Sequence, residues 1–95
     1  MDKQTILSFL KENRTMLQEK YQIKKIGLFG SYAEGEETSE SDIDILADMP
    51  SSFDLYYDLK EFLEKSFGKS IDLGMEKSIR KLIRSKIEED IVYVT

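Results

Sequence analysis

The sequence contains no cysteine and no histidine. Without cysteine the chain can form no disulfide and has no thiolate nucleophile, and without histidine it lacks the commonest general base and the usual zinc ligand. Proton transfer must therefore fall to carboxylates, lysines or water. The sequence also lacks a long apolar run and begins with charged residues, which argues against a transmembrane helix and a secretory signal. We therefore predict a cytoplasmic protein with no membrane partner.

Positive charge is in short supply as well. The 95 residues include 14 lysines and arginines against 19 aspartates and glutamates, which gives a net charge of −5. Because nonspecific nucleic-acid affinity comes mostly from clustered basic residues, this balance disfavours a nucleic-acid partner. The length predicts a single domain over residues 1–95, with one modest core and no room for a separate acceptor-binding domain.

Hydrophobic periodicity predicts three main helices and four strands. The first helix spans 2–21 with Asp2 as its N-cap, and the second begins at a Ser51/Asp54 capping box and ends near Gly68. The aromatic residues of the second helix are predicted to form its core-facing stripe. The remaining elements are strands over 23–29, 41–46, 69–73 and 91–94 and a helix over 77–89. The predicted fold is α/β (α+β), a small mixed sheet of about four strands with helices packed on it.

Two short motifs suggest a shared site for phosphate and metal. Gly30 and Ser31 end an apolar strand in a turn, where backbone N–H groups and a hydroxyl can meet phosphate oxygens. Asp42 and Asp44 stand at alternate positions of a β-prone segment, so they project from the same face of a strand. Two such carboxylates repel each other unless a cation neutralises them, and Mg²⁺ prefers hard oxygen ligands.

At these residues the sequence resembles the nucleotidyltransferase superfamily typified by DNA polymerase β, and within it the minimal nucleotidyltransferases. The resemblance spans about positions 23–94 and implies the bare palm of that superfamily. It also implies that Asp72 is the third carboxylate, that Asp42, Asp44 and Asp72 hold two Mg²⁺ ions, and that Gly30 and Ser31 steady the β- and γ-phosphates. Asp72 would complete the acceptor-side metal and could take the proton.

The resemblance further implies a reaction and a partner. The implied reaction transfers a nucleoside monophosphate, AMP from ATP, to an acceptor hydroxyl. Minimal nucleotidyltransferases commonly pair with an all-helical HEPN toxin, and some act as antitoxins by transferring AMP to a tyrosine of that toxin. Two alternatives stay open: a palm that neutralises its toxin by binding alone, and a small-molecule nucleotidyltransferase. Self-association also stays open.

Two features depart from the family pattern or fall outside it. Glu34 stands where the family often has arginine or lysine, and we predict that it lies in the first turn of a short helix after the phosphate loop. Its negative charge would there oppose an incoming triphosphate. A basic cluster on the last predicted helix is either a solvated face or a contact for a nucleotide or partner. The cluster consists of Lys77, Arg80, Lys81 and Arg84.

Overall fold

The computed structural model of the protein describes residues 1–78 and 88–94. Residues 88–90 are helical. Four further helices and four strands are described in full. They are, in chain order, α1 (Lys3–Glu12), α2 (Arg14–Tyr21), β1 (Lys25–Phe29), α3 (Gly30–Glu34), β2 (Ile43–Asp48), α4 (Phe53–Phe67), β3 (Ile71–Met75) and β4 (Val92–Val94). A short 3-10 turn, Glu76–Ser78, follows β3. No helix in this described part of the chain is both long and apolar enough to cross a membrane.

The strands form one mixed sheet in the order β3-β2-β1-β4. β1 runs antiparallel to both β2 and β4, whereas β2 and β3 are parallel. A parallel pair needs a crossover connection, and α4 supplies it between β2 and β3. The predicted four-stranded mixed sheet with packed helices is therefore confirmed.

One face of the sheet carries the core. Alternate strand residues point to this face, because successive side chains of a strand project to opposite sides. The helices α1, α2 and α4 cover it with their buried apolar residues. The buried strand residues of this face are Ile26, Leu28, Ile43, Ile45, Ala47, Ile71, Leu73 and Val94. Asp44 and Asp72 fall at the intervening positions and therefore lie on the opposite face of the sheet.

The first predicted helix is two helices, which corrects the single helix expected over 2–21. Asp2 does cap it, since its Oδ1 accepts a hydrogen bond of 2.8 Å from the Thr5 backbone N–H. The break lies at Asn13, whose side-chain Nδ2 donates to the Phe9 carbonyl oxygen at 2.9 Å. An asparagine that bonds the preceding turn in this way competes with the regular helix ladder, so the chain starts a new helix after it.

The beginning of α4 also differs from the prediction. Ser52, not Ser51, is the N-cap, and its Oγ accepts a hydrogen bond of 3.4 Å from the Leu55 backbone N–H. The predicted end is right, because Gly68 ends the helix with a φ of 66°. The aromatic stripe is wrong at two positions, since Phe53 is 81% exposed and Tyr57 is 59% exposed.

The predicted strands agree with the structure in number and in their order along the chain, but their ends are shifted. β1 begins at Lys25 and β2 at Ile43, each two residues later than expected, and β3 spans Ile71–Met75. The last strand is confirmed as Val92–Val94. Most of the helix predicted over 77–89, with Arg80, Lys81 and Arg84, lies outside the described residues.

Candidate active site

The site is built around two aspartates that the sheet places side by side. Asp44 on β2 is the register partner of Asp72 on β3 in the parallel pair. Their neighbours Ile43, Ile45, Ile71 and Leu73 are buried on the other face. Because apolar residues flank both acids, burying those residues fixes the register and turns both carboxylates to the same face. The packing of the core therefore brings the two acids together.

The electrostatics of the pair are unusual for surface aspartates. The pKa of Asp44 is raised from its ordinary value of 3.8 to about 6, chiefly because partial burial disfavours the charged form. The charge of Asp72 and a hydrogen bond between the two carboxyl groups raise the pKa further, and the charge of Asp42 adds to it. A protonated Asp44 can donate this hydrogen bond to the Asp72 carboxylate. The pair is thus a site that favours bound positive charge.

Gly30 lies against the Asp44 carboxylate. Phe29, at the end of β1, is the register partner of Asp44, so the chain passes directly over the acid as it leaves the strand. A β-carbon at Gly30 would overlap Oδ2 of Asp44 and lie 2.9 Å from its Cγ. Gly30 also has a φ of +75°, which side chains rarely adopt. Both constraints require glycine here.

The remaining predicted site residues lie at the same edge but less close together. Ser31 is the second residue of α3 and is partly exposed. Asp42 is exposed and immediately precedes β2, although its charge reaches Asp44. Across residues 1–78 and 88–94, no three acidic side chains gather into a group that could hold a metal ion. The structure therefore joins Gly30, Asp44 and Asp72, and the three-carboxylate metal group stays a prediction.

Glu34 does not occupy the predicted position. It is the last residue of α3, not part of the first turn, because Gly30 itself begins the helix. The next residue, Gly35, has a φ of 75° and ends the helix. A negative charge at this end does not benefit from the helix dipole. The predicted place of Glu34 in the first turn is therefore wrong, whereas its effect on an incoming triphosphate stays a prediction.

Lys69 is a residue of this edge that the sequence pattern did not single out. Its Nζ donates a 3.2 Å hydrogen bond to the carbonyl oxygen of Ser39, in the segment that leads to Asp42. It also lies 6.0 Å from the centre of the Tyr32 ring in α3. The one available signal was its position shortly before the predicted third acid.

Residues 10–94 match the family described as nucleotidyltransferase domain. Two relatives are similar over almost their whole lengths. A Methanocaldococcus jannaschii protein named as a candidate protein adenylyltransferase is 45% identical over 94 residues, 94% of each chain. The protein adenylyltransferase MntA of Thermococcus cleftensis is 36% identical over 94% of this chain and 92% of its own. The chain belongs to the nucleotidyltransferase domain family, as its sequence motifs had indicated.

Solved structures share the fold. A protein described as a candidate minimal nucleotidyltransferase superposes with a TM-score of 0.81 at 24% identity, covering 97% of this chain and 95% of that one. A complex described as tri-AMPylated Shewanella oneidensis HEPN toxin with MNT antitoxin gives a TM-score of 0.64 at 18% identity, covering 92% of this chain and 70% of that one. At these identities the likeness establishes the fold, which is that of a minimal nucleotidyltransferase.

Proposed function

We propose that this protein is a protein adenylyltransferase that transfers AMP from ATP to a tyrosine hydroxyl of a HEPN toxin and thereby acts as its antitoxin. Two relatives of nearly equal length bear the name protein adenylyltransferase, one of them as a candidate. Structures of the same fold include a toxin–antitoxin complex with AMP-PNP and a HEPN toxin that carries AMP. The cytoplasmic location predicted from the sequence fits this role and stays a prediction.

One observation in this chain carries the proposal: the Asp44 and Asp72 carboxyls meet at the edge where Gly30 leaves β1. Keeping two like charges together, with Asp44 partly buried, is unfavourable for folding. The fold nevertheless enforces the arrangement through the buried neighbours of both acids. An energetically unfavourable arrangement that the packing of the core maintains at one place is typical of a functional site.

In the proposed reaction the acceptor hydroxyl oxygen attacks the α-phosphorus of ATP. A new oxygen–phosphorus bond forms, the bond to the bridging oxygen breaks, and pyrophosphate leaves. Asp72, the more exposed acid of the pair, takes the proton of the acceptor hydroxyl. Gly30 and Ser31 bind the β- and γ-phosphates. The protein contributes mainly orientation, since phosphoryl-group transfer demands little covalent chemistry of it.

The family implies Mg²⁺, and the donor set fits it in part. Asp44 and Asp72 offer hard oxygen ligands side by side. Partial burial is the largest cause of the raised pKa of Asp44, and the charge of Asp72 adds to it, so a bound cation would relieve the repulsion between the two acids. Asp42 would complete the ligand set from the segment before β2. Bound Mg²⁺ supplies charge neutralisation for the triphosphate and for the developing alkoxide.

The proposal is tested by incubating the purified protein with α-labelled ATP, Mg²⁺ and its cognate HEPN protein. We expect label to become covalent on a tyrosine of the partner, identified by mass spectrometry. Asp44→Asn should abolish the labelling, and Asp58→Asn, a change of an exposed acid on α4, should leave it intact. Label that never reaches the partner would refute the proposal.

One observation favours a second candidate function. Because Asp42 does not join the acid pair in a three-carboxylate group within the described residues, a palm that neutralises its toxin by binding alone is the alternative. Expression of Asp44→Asn with the toxin in cells separates the two. Full protection by this variant would favour binding alone, whereas loss of protection would favour transfer.

A further inference from the structure

Lys69 connects segments that all lead to the candidate site. It stands between α4 and β3, shortly before Asp72, and its side chain is partly buried. The ammonium donates to the Ser39 carbonyl oxygen at 3.2 Å and lies 6.0 Å from the Tyr32 ring. One side chain at the beginning of β3 therefore contacts both α3 and the segment between α3 and β2.

The segment that Lys69 contacts is a compact turn. The Thr38 backbone N–H donates to Ser41 Oγ at 2.9 Å, and the Ser41 backbone N–H donates to the Thr38 carbonyl oxygen at 3.1 Å. The Glu40 backbone N–H also donates to Thr38 Oγ1, at 3.3 Å. These bonds are internal to the turn, so they give it shape without attaching it to the sheet. Asp42 follows the turn directly.

Two hydrogen bonds attach this part of the chain to the beginning of β3. The first belongs to the main chain, from the Ile43 N–H to the Ser70 carbonyl oxygen at 3.1 Å, where β2 and β3 begin to pair. The second is the bond from Lys69 to Ser39. The main-chain bond fixes the residue after Asp42, and the lysine bond fixes the turn before it. Asp42 therefore lies between two points of attachment.

The groups that Lys69 contacts indicate that it serves as a tether, a side chain that holds the backbone of the turn in place. The turn region carries Glu36, Glu37 and Glu40, yet the ammonium of Lys69 contacts a neutral carbonyl group and an aromatic ring. A lysine that served only to neutralise this acidic segment would be expected to pair with one of its carboxylates. The bond to a main-chain oxygen instead constrains where the backbone runs.

We propose that Lys69 is a positioning residue for the transfer reaction, which holds the Thr38–Ser41 turn, and with it Asp42, at a fixed place beside Asp44 and Asp72. The inference rests on the proposed function for its catalytic consequence. Lys69 acts through Asp42 and touches neither nucleotide nor acceptor. Small displacements of a catalytic group can cost about a hundredfold in rate, so such a tether matters even though it makes a single hydrogen bond.

The test compares Lys69→Met with Lys69→Arg and a matched control. Lys69→Met should lower kcat for AMP transfer about tenfold or more, while KM for ATP stays within about twofold. Lys69→Arg should recover most of the rate, because a guanidinium can still donate to the Ser39 carbonyl oxygen. The control is Lys65→Met, since Lys65 is exposed on α4 and pairs with Glu61 on the same helix at 2.8 Å. It should match the wild type.

A second readout needs no activity. Backbone ¹⁵N relaxation of residues 38–41 in the metal-free protein should show lower order parameters in Lys69→Met, and values like those of the wild type in Lys65→Met and Lys69→Arg. If the wild type transfers no AMP, the proposed function fails, and this measurement still decides whether Lys69 holds the turn. Unchanged order parameters would overturn the proposal.

Two kinetic outcomes would also overturn it. A raised KM for ATP with unchanged kcat would show that Lys69 binds the nucleotide directly. A loss of activity that follows a loss of thermal stability, with no rescue by Lys69→Arg, would show a structural role alone.

Discussion

Gly30 occupies the space beside the Asp44 carboxylate that any larger residue would need. A β-carbon at position 30 would overlap Oδ2 of Asp44 and come within 3.2 Å of its Cβ. The turn after β1 and the acid on β2 are therefore matched in shape. A glycine that was predicted to approach phosphate also makes room for a carboxylate.

We expect Gly30→Ala to abolish transfer and to destabilise the protein. The positive φ alone should cost about 1–2 kcal/mol, because side chains disfavour the left-handed region. Displacement of Asp44 should add the loss of function. The measurements are AMP transfer and the free energy of unfolding in urea.

Gly35 provides the matched control for this substitution. It has the same φ of +75°, but no atom lies within 4 Å of the position that its β-carbon would take. Gly35→Ala should therefore show the same backbone cost and retain transfer. Equal activity in the two variants would contradict the steric relationship between Gly30 and Asp44.

The stability of the metal-free protein should depend on Asp44 between pH 4 and pH 6. Because the pKa of Asp44 is about 6 in the folded protein and 3.8 ordinarily, the folded state binds this proton more tightly. The contribution of Asp44 to stability should therefore fall as pH rises through this range and stay low at pH 7. The free energy of unfolding, measured in urea at several pH values, should fall less steeply with rising pH in Asp44→Asn than in the wild type. A parallel pH dependence in the two proteins would count against the raised pKa.

Removal of the Asp72 charge should stabilise the metal-free protein at pH 7 and impair the site. We expect Asp72→Asn to raise the melting temperature, weaken Mg²⁺ binding and abolish transfer. The pKa of Asp44 should fall only part of the way, since partial burial is the largest cause of its shift. An NMR titration of the Asp44 carboxyl group measures this directly.

The response to ligands distinguishes a role of Asp72 in the site from a general effect of the substitution on stability. Wild type should gain stability from Mg²⁺ with nucleotide, because ligands that bind the folded state stabilise it, and Asp72→Asn should gain much less. If Asp72→Asn were neutral or destabilising without metal and responded fully to both ligands, Asp72 would be an ordinary exposed residue. Asp58→Asn on α4 serves as the control acid.

Tyr56 should stabilise the strand that carries Asp72. Its hydroxyl donates a 2.7 Å hydrogen bond to the Leu73 carbonyl oxygen, which joins α4 to β3. Tyr56→Phe should cost about 1 kcal/mol in urea unfolding, the usual net value of one such bond. Tyr57→Phe removes the hydroxyl of a neighbour that is 59% exposed and should be neutral. Equal effects of the two changes would show that the Tyr56 bond contributes nothing.

Local patterns were sufficient for the four strands and for the acid at Asp44, whereas the mixed pairing of the strands came with the resemblance to a family. Apolar residues on either side of Asp44 and Asp72 predicted strands that expose the acids on one face, and the register of β2 and β3 follows from burying those neighbours. The place of Asp72 required the resemblance to a family, because a lone acid on a strand has no distinguishing pattern.

Features that depend on tertiary contacts could not be predicted. The break at Asn13 depends on a hydrogen bond from its side chain to the Phe9 carbonyl oxygen, which hydrophobic periodicity does not reveal. The exposure of Phe53 and Tyr57 depends on how α4 lies on the sheet. The link from Lys69 to Ser39 joins residues that are distant in sequence. None of these features can be recognised from a short stretch of sequence.

The parallel pairing of β2 with β3 has a consequence for folding kinetics. The connection between β1 and β2 is shorter than the one between β2 and β3, which contains the whole of α4. Asp44 and Asp72 therefore meet only after the longer loop has closed. Contacts between distant residues close larger loops and tend to form later. The repulsion between the two acids therefore destabilises contacts that form late in folding. It should speed unfolding more than it slows folding. In the metal-free protein, the pairing of Asp44 with Asp72 should therefore be among the first contacts to separate.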